Sequence, residues 1–412
     1  MSAVRAHDPT RDRPCVGVTA PLGFRAGTAR ADVRGGGEDR DDVAVVVSDT
    51  TAQAAGVFTR NRVKAAPVVI SALHLRRGLA RAIVVNSGNA NACTGARGLG
   101  DALQMIQAAA DGVGCDPAEV LAASTGVIGR PLPMERVRPA IGRACASAGA
   151  DGGALAARAI LTTDTRTKER VAHFTAGGIT YTVGGMAKGA GMIHPDMATL
   201  LAFVTTDAPV PAALLREWLG AAVARSLNRI TIDGDTSTND SCLVLANGAA
   251  GGDPLAPGTA GATAGAEALS EVLLGLALAV VADAEGATRT FAVEVRGALD
   301  GEQADRAART VAASPLVKTA IHGADPNWGR ILMAVGRSGA ELALDRTRVR
   351  IGGETVFERG MARAADLARV AEAFGAPGLT IAIDLGVGEG AGAAYGCDLS
   401  QEYVRINAEY TT

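Results

Sequence analysis

Thr199 closes the small-residue stretch of the run GMAKGAGMIHPDMATLLAF, Gly185 to Phe203, and opens its apolar, β-branched exit. A loop-to-strand junction is the plain reading, because a threonine hydroxyl is a weak nucleophile until a neighbouring base takes its proton. Seven further segments rich in Gly, Thr, Asn and Asp stand at the ends of apolar stretches. They are NSGNANACTG from Asn86, ASTGVIGRPLPM from Ala123, ILTTDTRTK from Ile160, DGDTSTNDS from Asp233, DAEGATR from Asp283, HGADPNWGR from His322 and RINAEYTT at the C-terminus. Any one of them reads as a turn, since these residue types are what turns select. Together they favour one shared site assembled from loops.

Other chemistries find little support. Gly386, Gly388 and Gly390 follow a strand, but the dinucleotide spacing and a following helix are missing. The chain has no GxxxxGK[ST], HExxH or GxSxG motif, and His194 and His322 read as hydrogen-bonded structural groups. The six cysteines lie far apart without CxxC or Cys/His pairing, which points to a reduced cytoplasmic protein without structural zinc. Forty Lys+Arg against 43 Asp+Glu, mixed along the chain, argue against nucleic acid or an anionic membrane as partner.

The elements that must position these segments are strands interleaved with helices. Short β-branched runs such as DVAVVVS, RAIVVNSG, ITYTVGG, TLLAFVTT, CLVLANG, LTIAIDLG and EYVRINAEY predict strands. Apolar residues three and four apart predict helices over 99–113, 134–148, 210–228, 264–282, 303–313 and 362–374. The apolar window 272–282 is too short to span a bilayer, which takes roughly 20 residues, and reads as a buried helix. Close pairs such as TRVRIGG with TVFERG predict antiparallel pairing, so the expected fold class is α/β with mixed sheets in a sandwich-like architecture. Residues 248–266, nearly all Gly, Ala, Pro and Thr, read as a surface loop, and 1–14 as a disordered N-terminal tail.

From about Thr19 to Thr412 the chain resembles the glutamate N-acetyltransferase (ornithine acetyltransferase) family of arginine biosynthesis. The resemblance rests on STGVIG, TTDT, GMAKGAGMIHPDMATLLAF, DGDTSTND, KTAIHGADPNWGRI and the terminal NAEYTT. The N-terminal tail, Ser241 in place of Thr and Ala284 in place of Gly are departures that touch no expected site residue.

The resemblance implies self-cleavage between Ala198 and Thr199, dividing the chain into an alpha fragment, 15–198, and a beta fragment, 199–412, that form one globular unit. The freed α-amine titrates near ~8 and can take the hydroxyl proton, so Thr199 would carry nucleophile and base together. Thr125 and Gly126 are implied as the donors that stabilise the oxyanion. Thr162, Lys188, Thr199, Glu285, Asn407 and Thr412 are implied substrate contacts, Lys188 offering a positive charge to a carboxylate and Glu285 a negative one to an ammonium. A strand at the C-terminus is expected to close over the pocket.

The implied reaction is a ping-pong transfer from N-acetyl-L-ornithine to L-glutamate without metal or cofactor; some relatives also use acetyl-CoA. The implied assembly is a heterotetramer of two alpha and two beta fragments. A paralogous acyltransferase with another amine substrate, an N-terminal-nucleophile hydrolase and an uncleaved binding protein remain open readings.

Overall fold

The computed structural model describes residues 17–194 and 200–409. The expected tail 1–14, the Ala198–Thr199 junction and Thr412 lie outside the described residues.

Two mixed sheets carry the fold. The first contains β1 (Phe24–Ala29), β2 (Val43–Phe58), β3 (Leu79–Asn89), β4 (Val120–Val127), β5 (Lys168–Ala176), β6 (Ile179–Lys188), β7 (Leu201–Thr206) and β9 (Ser241–Ala246), in the order β4-β3-β2-β9-β7-β6-β5 with β1 on β2. The second holds β8 (Ile230–Thr231), β10 (Thr290–Ala298), β11 (Arg348–Ile351), β12 (Glu354–Glu358), β13 (Met361–Ala362), β14 (Leu379–Asp384) and β15 (Gly390–Cys397), in the order β13-β12-β11-β14-β10-β15-β8. Parallel pairs β3/β4, β7/β9, β10/β14 and β8/β15 sit among antiparallel ones, including the expected β11/β12 hairpin.

The helices are α1 (Ala66–His74), α2 (Gly95–Val113), α3 (Met134–Ala146), α4 (Gly153–Ala159), α5 (Ala212–Arg225), α6 (Ala260–Ala282), α7 (Gly301–Ala312), α8 (Pro315–His322), α9 (Gly329–Gly336), α10 (Leu367–Gly375) and α11 (Gln401–Glu409). Strand β7 shows why its sequence is apolar without a break. Ala202 and Val204 enter the core shared with α5 and α6, while Leu201 and Phe203 enter the core on the other face with Ala156 and Ala157 of α4. Because successive side chains alternate faces, a strand covered on both sides needs apolar residues at every position. The second sheet has its own core, in which Val293, Ile381 and Ile383 meet α7, α8 and α10.

Helix α6 is long and apolar enough to cross a membrane by length and composition. Leu269, Val272, Leu273 and Leu276 instead bury it against Ala172 of β5, Val183 of β6 and Trp218 of α5. Its start corrects the loop expected over 248–266: Thr259 caps it by accepting from the Ala262 N–H at 3.2 Å, and the alanines that follow are the strongest helix formers. Gly265 fits inside the helix because a Cβ there would lie 2.3 Å from the Trp218 ring.

The C-terminal strand is the second correction. The described part of EYVRINAEY, 402–409, lies in α11, begun by Ser400, whose Oγ accepts from the Tyr403 N–H at 3.3 Å, and held by Arg405 paired to Glu402 at 2.5 Å and Glu409 at 2.8 Å. Val404 and Ile406 suggested a strand, but ion pairs three and four residues apart support a helix.

Candidate active site

A single cleft gathers seven of the eight segments singled out by residue type; HGADPNWGR, from His322, contributes nothing to its walls. Its walls include Thr125 and Gly126 from the end of β4, Thr162 from the loop after α4, Lys188 from the end of β6, Ser237 to Asn239 before β9, Glu285 after α6 and Asn407 on α11. All six described residues of the expected site therefore meet there.

Thr125 and Gly126 are set by the parallel pairing of β3 and β4, where Gly88 lies opposite Gly126. Gly126 has φ +130°, and a Cβ on it would stand 2.3 Å from the Gly88 carbonyl carbon, so only glycine fits. Asn239 braces this strand end, its Nδ2 donating to the Ser124 carbonyl at 2.8 Å and to the Ala90 carbonyl at 2.6 Å. Thr125 is buried rather than a solvated turn residue.

Lys188 is 4% exposed, which excludes a solvated surface charge. Its ammonium donates to Thr162 Oγ1 at 2.6 Å and Thr125 Oγ1 at 3.3 Å, and lies 3.7 Å from Asp164 Oδ2. Burial lowers its pKa, and the Asp164 carboxylate works against that shift. Asp164 Oδ1 accepts from Lys168 Nζ and from the Gly189 N–H, each at 2.6 Å. Burial would raise the Asp164 pKa, but Lys188 and Lys168 bring it down to about 2. Lys168 in turn reaches Asp283 Oδ2 at 2.6 Å, so two lysines and two aspartates form one buried array.

The opposite charge of the cleft is Glu285, whose Oε2 accepts from Asn407 Nδ2 at 2.9 Å. Gly191 makes room for it, because a Cβ there would lie 2.5 Å from that same oxygen. Asn407 reaches the cleft from α11, not from a strand.

The connection from β6 to β7 is pinned on both sides of the expected cut. Asp233 accepts from the Met192 N–H at 2.5 Å and the Ile193 N–H at 2.9 Å, and Tyr403 OH donates to it at 3.3 Å. On the far side Asp240 Oδ1 accepts from the Leu200 N–H at 2.9 Å, while Oδ2 is buried without a hydrogen-bond partner among the described residues. Burial pushes the Asp240 carboxyl well above the usual carboxylate range. Lys188 and Leu201 are register partners in β6/β7.

Asp164, Lys168, Asp233, Asn239 and Asp240 are the residues that sequence reading did not single out. All five sat inside segments singled out by residue type: Asp164 and Lys168 in ILTTDTRTK, and Asp233, Asn239 and Asp240 in DGDTSTND. His194 and His322 behave as expected of structural groups, with Nδ1 at 3.1 Å from Thr231 Oγ1 and at 2.7 Å from Asp398 Oδ2 respectively.

A mixed α/β fold with a loop-built polar cleft, holding one buried cation and one carboxylate, defines an enzyme site rather than a bare scaffold. The ArgJ family model matches residues 25–412. The arginine biosynthesis bifunctional protein ArgJ of Symbiobacterium thermophilum is 50% identical over 396 residues, covering 96% of this chain and 98% of its own. The protein so described in Geobacter sulfurreducens is 47% identical over 395 residues, covering 95% and 99%. The solved arginine biosynthesis bifunctional protein argJ of Bacillus halodurans is similar at a TM-score of 0.49 and 40% identity, over 50% of this chain and 98% of that one. The chain belongs to the ArgJ family, the acetyltransferase family that its motifs resemble.

Proposed function

We propose that the chain transfers an acetyl group from N-acetyl-L-ornithine to L-glutamate in arginine biosynthesis, through an acetyl ester on Thr199. The convergence of Thr125, Gly126, Thr162, Lys188, Glu285 and Asn407 on one cleft supports this reading most directly.

Self-cleavage comes first. The Thr199 hydroxyl attacks the Ala198 carbonyl, the acyl group shifts from nitrogen to oxygen, and water hydrolyses the ester to leave a free α-amine on Thr199. In the first half-reaction that amine takes the hydroxyl proton as Oγ attacks the acetyl carbonyl. The negative oxygen is met by the Thr125 hydroxyl and the Gly126 N–H. Collapse breaks the C–N bond, and the departing ornithine amine takes back the proton. Glutamate then enters as the amine and reverses these steps. Glu285 and Asn407 suit the substrate ammonium, with Thr162 and Thr412 as neutral partners and Lys188 as the positive charge of the cleft.

The relatives are described as bifunctional, and we extend this to acetyl-CoA as a second donor. Thiol release from acetyl-CoA with glutamate tests that extension; no release confines the enzyme to acetylornithine. Strands β1 to β6 precede the proposed cut and β7 and β9 follow it within one sheet, which supports fragments 1–198 and 199–412 staying together. We place two copies of each in a cytoplasmic heterotetramer, checked by native mass spectrometry.

Mass spectrometry of the purified protein tests the central step. Wild type is expected as two fragments and Thr199→Ala as one chain of 41.5 kDa without transfer activity. A continuous wild-type chain that still moves acetyl groups overturns the mechanism.

A further inference from the structure

Lys188 donates to two hydroxyls, Thr162 Oγ1 at 2.6 Å and Thr125 Oγ1 at 3.3 Å, with Asp164 Oδ2 as an ion-pair partner at 3.7 Å. An ammonium only donates, so a hydroxyl beside it must accept and keeps its own proton for some other acceptor. Thr125 and Thr162 both line the cleft. Lys188 lines the cleft as well, but its short contacts are to the two hydroxyls, so its charge also acts there through the hydroxyls it orients.

We propose that Lys188 is a positioning residue of the oxyanion hole, acting through Thr125, with Asp164 and Lys168 fixing the ammonium in place. The proposal rests on the reading of Thr125 as an oxyanion donor. A hydroxyl that accepts from a cation becomes a stronger donor, and the bond it then makes to a negative oxygen is charge-assisted. Asp164 is tied by Lys168 and by the Gly189 N–H immediately after Lys188, so carboxylate and lysine backbone are locked together. The other charged groups acting on Lys188 are Lys168, which opposes its charge, and Glu285, which favours it. Asp240, before β9, is also near enough to feel it.

The test is a double-variant cycle in the full chain, with acetyl-enzyme formation from N-acetyl-L-ornithine referred to the cleaved fraction of each protein. Thr125→Val is expected to lower kcat about 10²–10³-fold, the usual loss for one oxyanion donor. Lys188→Met is expected to lower kcat about tenfold to a hundredfold with KM little changed, and the double variant to match Thr125→Val within about threefold. Losses that multiply, or a raised KM at unchanged kcat, make Lys188 an independent substrate contact and overturn the proposal.

Asp164→Asn keeps the lysine and gives a second readout even if Lys188→Met fails to process. Removing the carboxylate that favours the ammonium should move the alkaline limb of kcat to lower pH, while the acidic limb, set by the Thr199 amine, stays in place. A uniform loss at every pH overturns the positioning role. Wild type without acetyl transfer overturns the parent reading instead.

Discussion

Asp164 and Asp398 are both shut away from water, with side chains 0% exposed, and burial would raise the pKa of each. Donors hold both below the ordinary carboxylate range instead. Their partners differ in direction. Asp398 accepts from the N–H groups of Thr288 and Arg289 at 2.8 and 2.9 Å, from Thr288 Oγ1 at 2.6 Å and from His322 Nδ1 at 2.7 Å. That set ties the end of β15 to the start of β10 and to α8, and none of it lines the cleft. Asp164 accepts from Lys168 and Gly189 and faces Lys188, whose hydroxyl partners open into the cleft. Burial of a charge is therefore no mark of function by itself; the distinguishing feature is where the spare protons of its partners point.

Gly126→Ala should produce the largest effect, on the cleft side. Its φ of +130° and the 2.3 Å approach to Gly88 force the strand end to move, and kcat should fall by at least about 10²–10³-fold. Circular dichroism alongside steady-state kinetics checks this. Turnover within about tenfold of wild type would remove Gly126 from the oxyanion hole.

Asp398→Asn should give a mid-sized effect of the opposite kind. Loss of charged hydrogen bonds costs about 1–3 kcal/mol of stability, while kcat stays within about twofold. A kcat loss matching that of Asp164→Asn would erase the contrast between the two carboxylates. Both groups bind protons more readily in the unfolded chain than in the folded one. The stability they contribute is therefore present above the ordinary value of 3.8 and is lost as pH falls, down to about 2 for Asp164. Thermal melts against pH should show a shallower acid loss in Asp398→Asn than in wild type.

The smallest effect concerns α11, which carries Asn407 into the cleft and Tyr403 onto Asp233. A C-terminal tag should reduce turnover severalfold more than an N-terminal one. Equal activity of the two tagged proteins would sink the expectation that Thr412 belongs to the site.

Local pattern made the site segments legible, because Gly, Thr, Asn and Asp at strand ends declare loops, and the resemblance supplied the proposed roles of Thr125 as oxyanion donor and Lys188 as substrate contact. The supporting carboxylates were not legible. Asp240 matters through the Leu200 N–H and Asp164 through the Gly189 N–H, pairings made across strands that no local spacing announces. Strand β5 was missed for a related reason. Glu169, Arg170 and His173 fall among its less buried positions and mask a period of two whose buried members include Ala172 and Phe174. The helix α11 was misread because Val404 is exposed and Ile406 only half-buried, so their alternation reflects no pleated neighbour.

The β6/β7 ladder runs from Val183 opposite Thr206 to Lys188 opposite Leu201, and the described residues of the joining segment, 189–194 and 200, supply none of its rungs. Severing that connector would subtract covalent continuity while leaving the interstrand pairing whole. The two halves should then recognise each other when made as separate polypeptides, as complementing pieces whose shared seam is already written into the sheet.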